Sequence, residues 1–204
     1  MKDFVLATLL VAVVGLAAGP AFANQSILVF GDSLSAGYGI RQDAAWPALL
    51  ERRLSAERAD YNVVNVSISG ETTAGGRSRL PAALDKHRPK IVVIALGAND
   101  GLRGLPLDAM EANLSAMVDR ARQAGARVLL VGMRLPPNYG DYASAFARVF
   151  ESVARHKKIA LVPFLLDGIA DQAAFFQADA LHPTAAAQPL ILDTVNRGLQ
   201  PLLK

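Results

Sequence analysis

Three histidines occur in the chain, and His182 stands in a setting the other two lack. It follows Asp179 by three residues and precedes Pro183, in the stretch DALHP. A carboxylate so close in sequence can fix the tautomer of an imidazole, and an oriented imidazole can take the proton of a hydroxyl nucleophile. The hydroxyl on offer is Ser33, within GDSLSAGYG, Gly31 to Gly39. His87 and His156 instead sit beside lysine and arginine at expected helix ends, where positive charge suits surface capping.

The glycine-punctuated turn admits a second chemistry, since such turns at helix N-termini cradle phosphates. A Walker loop needs lysine and a hydroxyl residue after its last glycine, and Gly37-Tyr38-Gly39 leads into neither; the three-glycine dinucleotide spacing fails as well. The Asp179–His182 pair alone is equally a capping aspartate with a surface histidine. As a metal pair it lacks any further motif at ligand spacing. Acyl transfer also needs donors for an oxyanion, and three are available: the N–H of Ser33, the N–H of Gly70 in SGETT, and the side-chain amide of Asn99 in GANDGLRG. Gly70 also suits a simple turn, and Asn99 a helix cap. The case for chemistry rests on the combination.

The elements that carry these residues alternate. Apolar, β-branched runs of strand length (SILVF, YNVVNVSI, KIVVIAL, ARVLLVG, IALVPF) are each followed by a segment of helical period. Strands so uniformly apolar have no wet face, which predicts a parallel sheet covered by helices on both sides. In such a sheet the loops after the strands gather at one edge, where ligands bind near the point at which strand order reverses. Ser33, Gly70, Asn99 and the Asp179–His182 pair all fall after strands.

Local signals sharpen the helices. Asp108-x-x-Glu111 has the form of a capping box, Met110, Leu114, Met117, Val118 and Ala121 follow on one stripe, and Gly125 marks the stop. Tyr142, Phe146, Val149, Phe150 and Val153 form the next stripe, ending in His156, Lys157 and Lys158. Pro189 predicts a turn after Thr184, with the last helix starting near the proline and running to about Leu199.

Residues 1–23 stand apart from the fold. A lysine near the start, an apolar stretch from Phe4 to Ala18 and the ending Ala21-Phe22-Ala23 have the form of a signal peptide cut after Ala23. The run is shorter than the ~20 residues of a bilayer span, and Gly19-Pro20 interrupts it, so no membrane anchor is expected after removal. Residues 24–204 then make one domain, exported, and periplasmic in a cell with two membranes. With no cysteine, packing alone must hold this domain, and cysteine nucleophiles and thiolate metal sites are excluded. A net charge of +3, with arginines scattered among acidic residues, gives no nucleic-acid footprint. Nothing in the sequence signals an oligomeric state.

Taken together, GDSLSAGYG with Ser33, SGETT with Gly70, GANDGLRG with Asn99 and DALHP with Asp179 and His182 resemble the four blocks of the SGNH (GDSL) hydrolase family, in order and over nearly all of residues 24–204. GANDGLRGLP and MRLPPNYG look most like its small exported bacterial thioesterase, lysophospholipase and arylesterase group. The resemblance implies a flavodoxin-like α/β sandwich of three layers, with a five-stranded parallel sheet ordered 2-1-3-4-5. It implies Ser33 as nucleophile, His182 as general base and then acid, Asp179 as its orienter, and Ser33, Gly70 and Asn99 as the oxyanion hole. Ala98 departs from the Gly-Asn that many relatives carry before the asparagine. The expected substrates are small acyl esters or thioesters, with no cofactor and no metal. Gly101, Leu102 and Leu105, with Pro136, Tyr139 and Tyr142, lie in loops flanking the same edge and are the candidate acyl-binding residues; plain loop structure is the alternative. Two other functions stay open: removal of acetyl groups from polysaccharide, and lipid binding by a protein whose triad is vestigial.

Overall fold

The computed structural model describes residues 25–57 and 60–203; the expected leader, residues 1–23, lies outside them. Five strands, β1 (Gln25–Gly31), β2 (Tyr61–Asn65), β3 (Ile91–Ala95), β4 (Arg127–Val131) and β5 (Ala160–Val162), form one sheet in the order β2-β1-β3-β4-β5. Every neighbouring pair is parallel, with Ile27 opposite Ile91 and Val92 opposite Val128. The fold is thus the α/β sandwich that the alternation of elements predicts.

Side chains alternate across a strand, so a sheet buried on both faces must be apolar at successive positions. Ile27 and Val29 point into one core, with Trp46, Leu50 and Leu54 of α2 (Trp46–Glu57) and Ile191, Val195 and Leu199 of α7 (Gln188–Leu199). Leu28 and Phe30 point into the other, which holds Leu80 and Leu84 of α3 (Thr73–His87), Leu114 and Val118 of α5 (Leu107–Gln123), and Phe146 and Phe150 of α6 (Asp141–Lys157). Two short helices, α1 (Ser33–Ala36) and α4 (Ala98–Leu102), follow β1 and β3 directly. Strand order reverses between β1 and β3, so these two helices start at the crevice where such sheets bind ligands.

The helix starting signals differ in one place from the sequence reading. The first turn bond of α5 runs from the N–H of Met110 to the carbonyl of Pro106, which makes Pro106 the N-cap and puts Asp108 inside the first turn. Asp108 accepts from the N–H of Ala109 and forms no capping box, because the fixed φ of Pro106 begins the helix earlier than the aspartate would. Its charge still favours the helix N-terminus. The apolar stripe is buried as expected, and Gly125 adopts φ +81° just past the C-cap. At α7, a single 3-10 turn at Ala185–Ala187 precedes the helix, and Pro189 is its second residue.

Candidate active site

Gly31 ends β1 where a side chain would meet the Oγ of Ser35 at 2.7 Å and the carbonyl of Ala95 at 3.0 Å. The chain then turns through Asp32, the N-cap of α1, whose Oδ1 accepts from the N–H of Leu34 at 3.0 Å. Gly37 closes this one-turn helix in the left-handed conformation (φ +74°), its N–H bonded to the carbonyl of Ser33. So tight a turn lifts Ser33 to the edge of the sheet.

His182 arrives from the far end of the chain. Its Nε2 lies 2.9 Å from Ser33 Oγ, and its Nδ1 lies 2.7 Å from Asp179 Oδ2. A carboxylate can only accept, so Nδ1 carries the proton and Nε2 accepts from the Ser33 hydroxyl. Asp179 Oδ1 also accepts from the N–H groups of Leu181 and His182, each at 3.0 Å. These bonds to its charged form hold the Asp179 carboxyl down at about 2. It is therefore ionised across the neutral range and ready to steady a positive imidazole.

Two residues that sequence reasoning missed fix this loop. Gln177 donates from Nε2 to the carbonyls of Tyr38 (2.8 Å) and Pro183 (3.1 Å), tying the histidine loop to the serine turn. Tyr38 lies against the imidazole, ring centres 4.5 Å apart. Gln177 carries no local motif, and Tyr38 stands in GDSLSAGYG only as a turn residue; the pairing of the two loops in space gives them a role.

Asn99 sits in the first turn of α4, and its Nδ2 donates to the carbonyl of Glu71 at 3.0 Å and reaches Asp32 Oδ2 at 3.4 Å. Its amide therefore joins the Gly70–Glu71 turn to the serine turn. Gly70 is exposed at φ +81°, and Arg103 donates to its carbonyl at 3.0 Å. Among the described residues no acceptor takes the N–H of Ser33 or of Gly70. Below them Asp100, 3 % exposed, accepts from the N–H and hydroxyl of Thr73 at 2.8 and 2.5 Å, which locks α3 to α4. Asp32 is buried too, at 1 % exposure. Burial pushes its carboxyl up to about 7 against the pull of the Leu34 N–H and the charge of His182, with Asp100 adding repulsion.

An apolar cavity of about 480 Å³ opens beside Ser33, Asn99 and His182. Leu102 and Pro136, two of the candidate acyl-binding residues, line it. The other four do other work. Gly101 is buried where a Cβ would meet the Phe146 ring at 2.5 Å, and Leu105 faces solvent outside the cavity. Tyr139 and Tyr142 donate their hydroxyls to the carbonyls of Leu102 (3.2 Å) and Leu105 (2.7 Å), tying the two loops together. Much of the lining comes instead from Met133, Leu135, Phe164, Leu166, Phe176 and Leu181. Phe164 and Leu166 follow β5 directly, so the rule that loops after strands meet at one edge pointed to them as well.

A hydroxyl, an imidazole and a carboxylate in hydrogen-bonded series, set at the switch point of a doubly wound sheet, define the class: a serine hydrolase. The model of the GDSL-like Lipase/Acylhydrolase family matches residues 29–189, and the chain belongs to that family. It is 52% identical over 182 residues to the esterase TesA of Pseudomonas aeruginosa, covering 89% of this chain and 90% of that one. It is 41% identical over 184 residues to thioesterase 1/protease 1/lysophospholipase L1 of Escherichia coli, covering 90% of this chain and 87% of that one. Among solved structures, the psychrotrophic esterase EstA from Pseudoalteromonas sp., inhibited by monoethylphosphonate, superposes with a TM-score of 0.84 at 40% identity, covering 88% and 98% of the two chains.

Proposed function

We propose that this chain hydrolyses acyl esters and thioesters through an acyl-enzyme on Ser33. His182 Nε2 takes the hydroxyl proton as Oγ attacks the carbonyl carbon, while Asp179 holds the ring and offsets its charge. The N–H groups of Ser33 and Gly70 and the amide of Asn99 receive the negative oxygen. The tetrahedral intermediate collapses, His182 returns the proton to the leaving alcohol or thiol, and water repeats the sequence to free the acid. The reading rests on one observation above the others: the hydrogen-bonded Ser33–His182–Asp179 series opens onto an apolar cavity of about 480 Å³, within the usual range for small-molecule sites. Relatives named as an esterase, an arylesterase and a thioesterase/lysophospholipase agree with that substrate class.

A fluorophosphonate is expected to label the wild-type protein and not Ser33→Ala; label on both proteins, or on neither, refutes the assignment. The apolar lining favours a hydrocarbon acyl chain over an acetylated sugar, so p-nitrophenyl esters of rising chain length should be turned over faster than acetylated xylan. A flat chain-length profile would count against the cavity as acyl site. Among the described residues no helix is long and apolar enough to cross a membrane. The leader-like residues 1–23 support export to the periplasm, and a mature N-terminus at Asn24, read by mass spectrometry, tests it.

A further inference from the structure

Asp32 is a buried carboxylate that the reaction above does not use, and both of its oxygens face donors. Oδ1 takes the N–H of Leu34, in the turn that presents Ser33; Oδ2 faces Nδ2 of Asn99, 67 residues further along the chain. An amide nitrogen carries two protons, and one of those on Asn99 is committed to the carbonyl of Glu71 at 3.0 Å. The other is the one available to an oxyanion, and at rest it points to Asp32 over 3.4 Å, a long contact that a developing charge nearby can displace. No other acceptor among the described residues competes for this proton.

We propose that Asp32 is a positioning residue: its carboxylate bridges the serine turn, through the N–H of Leu34, and the side-chain amide of Asn99, so that nucleophile and oxyanion donor keep a fixed separation. The proposal rests on the assignment of Ser33 and Asn99 given above. It requires the ionised form. A protonated carboxyl would present its own O–H to one of two N–H donors and lose that bond, and Asp32→Asn does the same with an NH₂ group while keeping the shape. The charge also lies close enough to His182 to favour the imidazolium that forms during attack.

A double-mutant cycle on a soluble p-nitrophenyl ester, with wild type, Asp32→Asn, Asn99→Ala and the double variant, tests the connection. Asn99→Ala should lose ~10²–10³ in kcat as one oxyanion donor. Asp32→Asn should lose ~10–10² in kcat with KM nearly unchanged, and the double variant should be no slower than Asn99→Ala within about threefold. Losses that multiply, or an Asp32→Asn enzyme with wild-type kcat, overturn the proposal. The wild-type pH profile needs no variant. Because protonating Asp32 should cost the same ~10–10² as Asp32→Asn, while protonating His182 removes the base, log kcat/KM should fall on the acid side more steeply than a slope of one over about one to two log units before returning to one, and with a slope of one throughout in Asp32→Asn. A slope of one throughout in the wild type overturns it. Fluorophosphonate labelling of the wild type is run beside these measurements. If it fails, the Ser33 assignment falls and this proposal with it, whereas labelled protein with a multiplicative cycle sinks this proposal alone.

Discussion

Removing the charge of Asp32 should make the protein more stable and less active. In the native state burial raises this carboxyl from 3.8 to about 7. A raised pKa means that the folded protein binds the proton more tightly than the unfolded chain. The stability it contributes is complete below the unfolded value and is lost as pH rises through the folded one. A rise of this size corresponds to roughly 4 kcal/mol lost between about pH 4 and pH 8, more than half of it between pH 5 and pH 8. Asp32 is 1 % exposed, so water does little to screen this contribution.

Asp32→Asn keeps the shape and cannot ionise. Urea unfolding of both proteins at pH 5, 6, 7 and 8 should show the difference between them moving in the variant's favour as pH rises, by about 2–3 kcal/mol from pH 5 to pH 8; for a domain of this size each kcal/mol moves Tm by about 2–4 °C. Asp179 does not confuse the measurement. Its folded value lies below the unfolded one, so its contribution is present above about pH 4 and lost only as pH falls towards 2. A gap between variant and wild type that stays constant from pH 5 to pH 8 would refute the reasoning, since a purely steric effect of the substitution has no reason to follow that titration.

Three further outcomes are expected. Asp179→Asn keeps an oxygen for the N–H groups of Leu181 and His182 but presents an amide to the ring, so kcat should drop by ~10³–10⁴ while the loop stays folded; kcat within tenfold of wild type would refute its role. Ala170 lines the cavity as a small, exposed residue, and Ala170→Phe should cut kcat/KM for long acyl chains by ~10-fold or more while sparing acetate and butyrate esters, read from a chain-length series; an unshifted profile would place the acyl chain elsewhere. Gly101→Ala drives a methyl into the Phe146 ring and should cost ~1–3 kcal/mol by denaturant unfolding; a raised KM at unchanged stability would show instead that Gly101 touches substrate.

The order of elements was legible because burial on both faces leaves an unmistakable pattern: IVVIA at Ile91–Ala95 is apolar at every position, and all five residues are buried. The grouping of Ser33, Asn99 and His182 followed from a rule about strand ends and needed no coordinates. The cavity lining was legible at two of the six candidate positions, Leu102 and Pro136. Tyr139 and Tyr142 carry the residue types of a binding site, yet their hydroxyls are used on the carbonyls of Leu102 and Leu105. Residue type says what a side chain can bind and not what it already binds. Gln177 left no trace in the sequence because its two acceptors, the carbonyls of Tyr38 and Pro183, are backbone atoms that any residue could supply. The capping box at Asp108 failed for a related reason: Pro106 sets the start of α5 through its backbone, whatever the side chains after it offer.

Two aspartates flank the Ser33–His182 pair, and the structure treats them in opposite ways. Asp179 is partly exposed and surrounded by N–H donors, so it stays ionised with little strain on the fold and can serve as a fixed negative partner for the ring. Asp32 is sealed beneath the serine, where the N–H of Leu34 and the more distant amide of Asn99 face its oxygens, and burial lifts it to about 7, so that it is only partly ionised at neutral pH. Environments that push two like groups apart mark different tasks. A residue kept only for packing would be replaced at no loss by its neutral isostere; a carboxylate retained in a site that disfavours it is explained when the charge itself does something the isostere cannot. Anchoring the Asn99 amide to the serine turn, and easing the formation of a cation on His182, are two such things, and both weaken on protonation. The same burial that makes Asp32 a liability to the fold makes its field strong at the atoms where charge develops during acyl transfer.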